Sequence, residues 1–108
     1  MKTQRKNQYK LVQIQEISFV DFNEQLAKID PDHLVVKVSN EVEINEKEIG
    51  LFLQTATKLK ANNKSFVVIK KGINLEVIPV GLNIVPTLQE AEDLLEIEAM
   101  ERQLGHVE

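Results

Sequence analysis

The sequence predicts an α/β fold, with a mixed or mostly parallel sheet of four to five strands and about three helices. Three observations carry that expectation. Two near-continuous apolar runs, Leu34-Val35-Val36-Lys37-Val38 and Ser65-Phe66-Val67-Val68-Ile69-Lys70, read as strands inside a sheet. Between them, Glu46–Ala61 repeats its apolar residues at helical spacing. Strands and helices also alternate along the chain, the mark of layered α/β domains. A strand, a helix and a strand in that order want a parallel pair with a right-handed crossover.

Residues 1–8 are polar, and the expectation there is a frayed end. Leu11, Val12 and Ile14, set among polar residues in 9–15, suit a strand with one exposed face. Ser18-Phe19-Val20-Asp21 resembles a capping box, and Phe19, Phe22, Leu26 and Ile29 then recur at helical spacing. Asp30-Pro31 stops that helix, because the proline ring disfavours α geometry at Asp30. In the central helix Asn45 and Glu48 fall at N-cap and N3, and Ile49, Phe52, Leu53, Ala56 and Leu59 form the buried stripe. Asn62-Asn63 ends it, since asparagine tolerates left-handed backbone.

Gly72 and Asn74 mark a turn. Residues 75–80 are open between turn and helix, being apolar but broken by Glu76 and by Pro79-Val80-Gly81. Residues 82–85 read as a short strand. Thr87-Leu88-Gln89-Glu90 is a capping box for the last helix, which turns Leu88, Ala91, Leu94 and Leu95 inward and stops at Gly105. The whole of 1–108 reads as one domain, with 1–8 and 106–108 as flexible ends.

Aromatic residues make up only 5% of the chain, so the core must be built from Leu, Ile and Val. Cysteine is absent, which removes disulfides, thiolate metal sites and cysteine nucleophiles together. No apolar run approaches the roughly 18 residues of a membrane span, and no apolar stretch follows the basic start. A soluble cytoplasmic protein without membrane contact is expected. The net charge of −4 is blocked, basic around 58–71 and acidic in the last helix. Net acidity and the lack of interleaved aromatics argue against a nucleic-acid partner. The two charged faces could meet in a homodimer.

Catalytic groups are hard to assemble from this chain. Asp30-Pro31-Asp32-His33 is the one place where metal ligands crowd, and it reads as a surface turn. His106 stands far from it. Ser18, Ser39 and Ser65 have no nucleophile elbow and no neighbouring histidine. Gly50, Gly72, Gly81 and Gly105 are too scattered to cradle a phosphate. No catalytic residue, metal site or cofactor is therefore expected.

The stretch 38–51 and the ending Ile84-Val85-Pro86-Thr87-Leu88-Gln89-Glu90-Ala91 resemble a STAS domain, the anti-anti-sigma factor fold. That family has a strand ending in serine, then a loop and an Asp-Ser-Ser-Gly-Leu-Gly type segment opening a helix. Laid on this chain, the strand-end serine falls on Ser39, the family's Asp on Asn45, its Leu on Ile49 and its second Gly on Gly50. The serine that a kinase phosphorylates in the family falls on Glu46, and Lys47 and Glu48 also depart from the pattern. Only one clear strand precedes the first helix, where the family has two.

The resemblance implies a non-enzymatic, regulatory protein-interaction module. Ser39, Asn40, Glu43, Asn45, Glu46 and Lys47 would contact a protein partner, with Glu46 as a phosphosite equivalent that cannot be phosphorylated. The chain is also similar to short stand-alone STAS-like bacterial proteins, some of which carry the label ribonuclease Z. The alternative is therefore a hydrolase or nuclease, or an accessory to one. The histidine-rich metal motif of that enzyme is absent. A hydrolase of that class is expected to retain zinc or manganese on purification.

Overall fold

The computed structural model describes residues 2–6, 9–14 and 32–105. The sequence-predicted helix of Phe19, Phe22, Leu26 and Ile29, its Ser18 cap and the tail 106–108 lie outside them.

Five strands form one sheet in the order β1 (Lys2–Lys6), β2 (Tyr9–Ile14), β3 (Leu34–Val38), β4 (Phe66–Ile69) and β5 (Asn83–Val85). The last four are mutually parallel, and β1 joins the edge antiparallel to β2. Helix α1 (Glu46–Ala61) links β3 to β4, and α2 (Leu88–Gly105) follows β5. The fold is thus α/β, and β3 and β4 are the adjacent parallel pair that the sequence predicts.

One expectation is corrected here. Residues 1–8 read as a frayed end, yet Lys2–Lys6 pair with β2 from Lys2 opposite Gln13 to Lys6 opposite Tyr9. Ladder hydrogen bonds come from the backbone, so an edge strand needs no apolar signature of its own.

The period-2 alternation of strand side chains divides the core in two. Val12, Ile14, Leu34, Val36, Val38, Phe66, Val68 and Ile84 face α1, which inserts Ile49, Phe52, Ala56 and Leu59 among them. Phe52 is fully buried, and its ring lies tilted against Phe66 at 6.1 Å between centroids. Leu53, expected in the buried stripe, is only half-buried at its edge. On the other face Tyr9, Leu11, Val35, Val67 and Ile69 meet Ala91, with Leu88, Leu94 and Leu95 half-buried beside it. Each fully buried Val, Leu, Ile or Phe among these stabilises by about 1.5–3 kcal/mol. Lys37 faces the α2 side, where it remains exposed.

Both helix starts use their caps. Asn45 Oδ1 accepts the N–H groups of Lys47 and Glu48 at 3.0 and 3.3 Å. Thr87 Oγ1 accepts from the Glu90 N–H at 3.2 Å and lies 3.1 Å from Glu90 Oε2, to which it donates. At the end of α1, Asn63 takes the left-handed backbone (φ 59°) that its side chain tolerates. Between β4 and β5, residues 75–80 resolve into a single 3₁₀ turn, Leu75–Val77, rather than an α-helix. Gly72 and Gly81 supply the positive φ values, 79° and 95°, that let this connection reverse twice. Among the described residues no helix is long and apolar enough to cross a membrane.

Candidate functional site

The segment 39–50 leaves the C-terminal end of β3 and enters α1. In open α/β sheets, ligands gather at that end of the strands. Ser39 fixes the departure: its N–H donates to the Ile14 carbonyl at 2.9 Å, which ties the loop to the neighbouring strand. Its own carbonyl accepts twice, from the Val42 N–H at 3.0 Å and from Lys70 Nζ at 2.8 Å. Both lone pairs of that oxygen are then used. The Glu41 N–H approaches Ser39 Oγ at 3.4 Å, a long contact.

Val42 then turns inward. It is buried in the α1-side core, with Ile44 half-buried after it. A loop with an apolar anchor in its middle cannot swing freely without exposing that side chain, at about 1.5–3 kcal/mol. Asn40, Glu41, Glu43, Asn45, Glu46 and Lys47 are held on its outside and exposed.

The structure therefore brings the six sequence-predicted site residues onto one short segment, in two roles. Asn40, Glu43, Glu46 and Lys47 are exposed to solvent. Ser39 and Asn45 hold the backbone, Ser39 by its main-chain bonds and Asn45 as the cap of α1. Glu46 and Glu48 both lie in the first turn of α1, where the aligned peptide dipoles favour negative charge. Glu48 carries an anomaly: its Oε2 is buried and has no hydrogen-bond partner. An acceptor left so is costly, by about 1–3 kcal/mol and more when charged.

Sequence reasoning overlooked two residues of this segment's frame, Val42 and Lys70. The signal for Val42 was present, since Val42 and Ile44 alternate with glutamates in an otherwise polar stretch. Nothing in the sequence marks Lys70, whose partner is a main-chain carbonyl 31 positions away.

A second polar group lies at the opposite, N-terminal end of the parallel strands. His33 was expected on a surface turn; instead it is half-buried, and its Nδ1 accepts the Ser65 N–H at 2.9 Å. Its carbonyl accepts from the Lys10 N–H at 2.8 Å, and its N–H donates to Asp32 Oδ1 at 2.7 Å. Accepting at Nδ1 puts the proton of the neutral ring on Nε2. Burial lowers the His33 pKa below 6.5, and the charges of Arg102 and Lys64 lower it further, against Asp32 and Glu98. Arg102 of α2 donates to the buried Ser65 hydroxyl at 3.1 Å. Tyr9 donates to Glu92 Oε2 at 2.9 Å, and Asn83 Nδ2 to Glu98 Oε2 at 3.3 Å. Burial, then the bond to Glu92 and its charge, push the Tyr9 hydroxyl up to about 12.

These side chains fasten α2 to β2, β4 and β5. His33 spends its acceptor nitrogen on the Ser65 N–H. Among the described residues no three His, Asp or Glu side chains are grouped to hold a metal ion. No protein-family model matches the chain, and no curated protein matches it.

Proposed function

We propose that this chain is a non-enzymatic protein-interaction module of the STAS type, which docks a protein partner through 39–50 and the first turn of α1. One observation carries the reading. Asn40, Glu43, Glu46 and Lys47 are exposed on a segment whose backbone is pinned by Val42, by Lys70 on the Ser39 carbonyl and by the Asn45 cap. A pinned loop loses little conformational freedom on binding, which is the advantage of a preorganised surface.

Glu46 takes the place where the STAS resemblance puts a phosphorylatable serine. A phosphoserine carries about −1.5 to −2 charges at pH 7, and glutamate carries a fixed single one. The module is then either a constitutive binder or one held in a state like the phosphorylated one.

Glu46→Gln tests this, because it removes the charge with little change of shape. The partner is first captured from the native cell and identified by mass spectrometry. Affinity for it is expected to change more than tenfold, about 1.4 kcal/mol, at a nearly constant melting temperature. Unchanged affinity with a lowered melting temperature would reduce Glu46 to a helix-start residue.

A further inference from the structure

Helix α2 has two apolar sides, and the sheet uses only one. Leu88, Ala91, Leu94 and Leu95 pack against the strands. Ile97, Met100 and Leu104, spaced by three and four, are 45%, 57% and 70% exposed. At about 100° per residue the two sets lie on roughly opposite sides of the helix. A helix lying on a sheet can bury only one of them, so this stripe faces water along two turns.

The exposed charges of α2 itself beside the stripe have one sign, although Lys60 and Lys64 line a cavity together with Glu101. Glu96 and Glu101 flank the stripe, Glu90 and Asp93 continue it toward the start of α2, and all four are exposed. The only base of α2, Arg102, is drawn to the Ser65 hydroxyl. Stripe-to-stripe pairing of two copies would set carboxylate against carboxylate. An anionic membrane surface meets the same repulsion.

We propose that the outer side of α2 is a second docking surface, for an amphipathic helix of a protein partner that carries Lys or Arg along the borders of its apolar face. The three side chains would fill the partner's apolar seam, and the glutamates would meet its bases. This surface is separate from 39–50, so it stands whether or not that loop binds a partner. Three side chains make a small interface, well under about 1,200 Å², which places the contact in the weak and transient class. Affinity is expected in the micromolar range, about 1–100 μM.

The test titrates the ¹⁵N-labelled protein with a synthetic helical peptide of about 18 residues, roughly five turns, with a leucine face bordered by lysines. Saturable shifts confined to the second half of α2, weaker at high salt, are expected. The same peptide bordered by glutamates is expected not to bind. The double variant Ile97→Ser, Met100→Ser is expected to lose at least tenfold in affinity and to keep its melting temperature. Shifts elsewhere, or equal binding of the glutamate-bordered peptide, would overturn the proposal. So would a large fall in melting temperature in the double variant, which would make these residues packed ones. Concentration-dependent self-association that the double variant abolishes would assign the stripe to a second copy instead.

Discussion

The two helices of the described residues cover opposite faces of one sheet and are held by different means. Helix α1 is the shorter, 16 residues against 18, yet it buries Ile49, Phe52, Ala56 and Leu59, while α2 fully buries only Ala91. What α2 lacks in apolar contact is supplied in part by three side-chain hydrogen bonds: Glu92 to Tyr9, Glu98 to Asn83 and Arg102 to Ser65. Apolar interlock is insensitive to pH and intolerant of lost volume. Polar fastening is the reverse, since it tolerates lost volume and depends on protonation. One helix is therefore held by buried apolar side chains, and the other by half-buried ones together with polar bonds.

Removing volume under α1 is the severest way to test that contrast. Phe52→Ala is expected to cost about 3–5 kcal/mol in urea denaturation, because the ring fills the space between Ile49, Ala56 and Phe66. A loss below about 1 kcal/mol would mean that α1 is no better anchored than α2. Asn45→Ala is expected to cost about 1 kcal/mol, within 0.5–2, since two N–H groups of α1 lose their acceptor. Thermal melts of Asn45→Ala and Thr87→Ala would show whether the two caps contribute alike.

The polar fastenings predict a pH profile. The Tyr9 pKa is raised above its ordinary 10.0 to about 12, so its contribution is complete below about pH 10 and is lost as pH rises toward 12. The His33 pKa is lowered, so its contribution is present above 6.5 and is lost as pH falls below that value. Denaturation across pH should show both limbs. Tyr9→Phe should flatten the alkaline limb and His33→Gln the acid one, and neither should alter the effect of Phe52→Ala.

The smallest effect belongs to the outer side of α2. Met100→Ser is expected to change stability by less than about 0.5 kcal/mol, because the side chain is 57% exposed. A core-sized loss in a chemical melt would show that α2 is packed on both sides.

Elements whose cause is local were legible in the sequence. Strands β3 and β4 and helix α1 stand where apolar runs and the helical period place them, and Asn45 and Thr87 cap as their side chains dictate. Segment 39–45 was legible as a polar loop between a strand and a capped helix, whereas its reading as a partner site came from the STAS resemblance and not from its polarity. What escaped depends on partners far along the chain. β1 exists through backbone pairing with β2, His33 is fixed by the Ser65 N–H, and Lys70 folds onto Ser39. The outer stripe of α2 was hidden by its inner one. Two apolar sides on one helix cancel the one-sided pattern that periodicity detects.

The strand order also decides what the sheet shows to its neighbours in a crowded solution. Any open sheet ends in two rows of unpaired backbone groups, which can template the addition of foreign strands. Here one row belongs to β1, where Lys2, Arg5 and Lys6 occupy three of the five positions and no residue is aliphatic. The other belongs to β5, only three residues long and followed by Pro86, which has no N–H to offer. The segments most prone to fibrous stacking, Leu34–Val38 and Phe66–Ile69, lie between them with both edges already paired. Charged residue types dominate the sequence of one border strand and brevity marks the other, two features that discourage strand addition at a sheet edge.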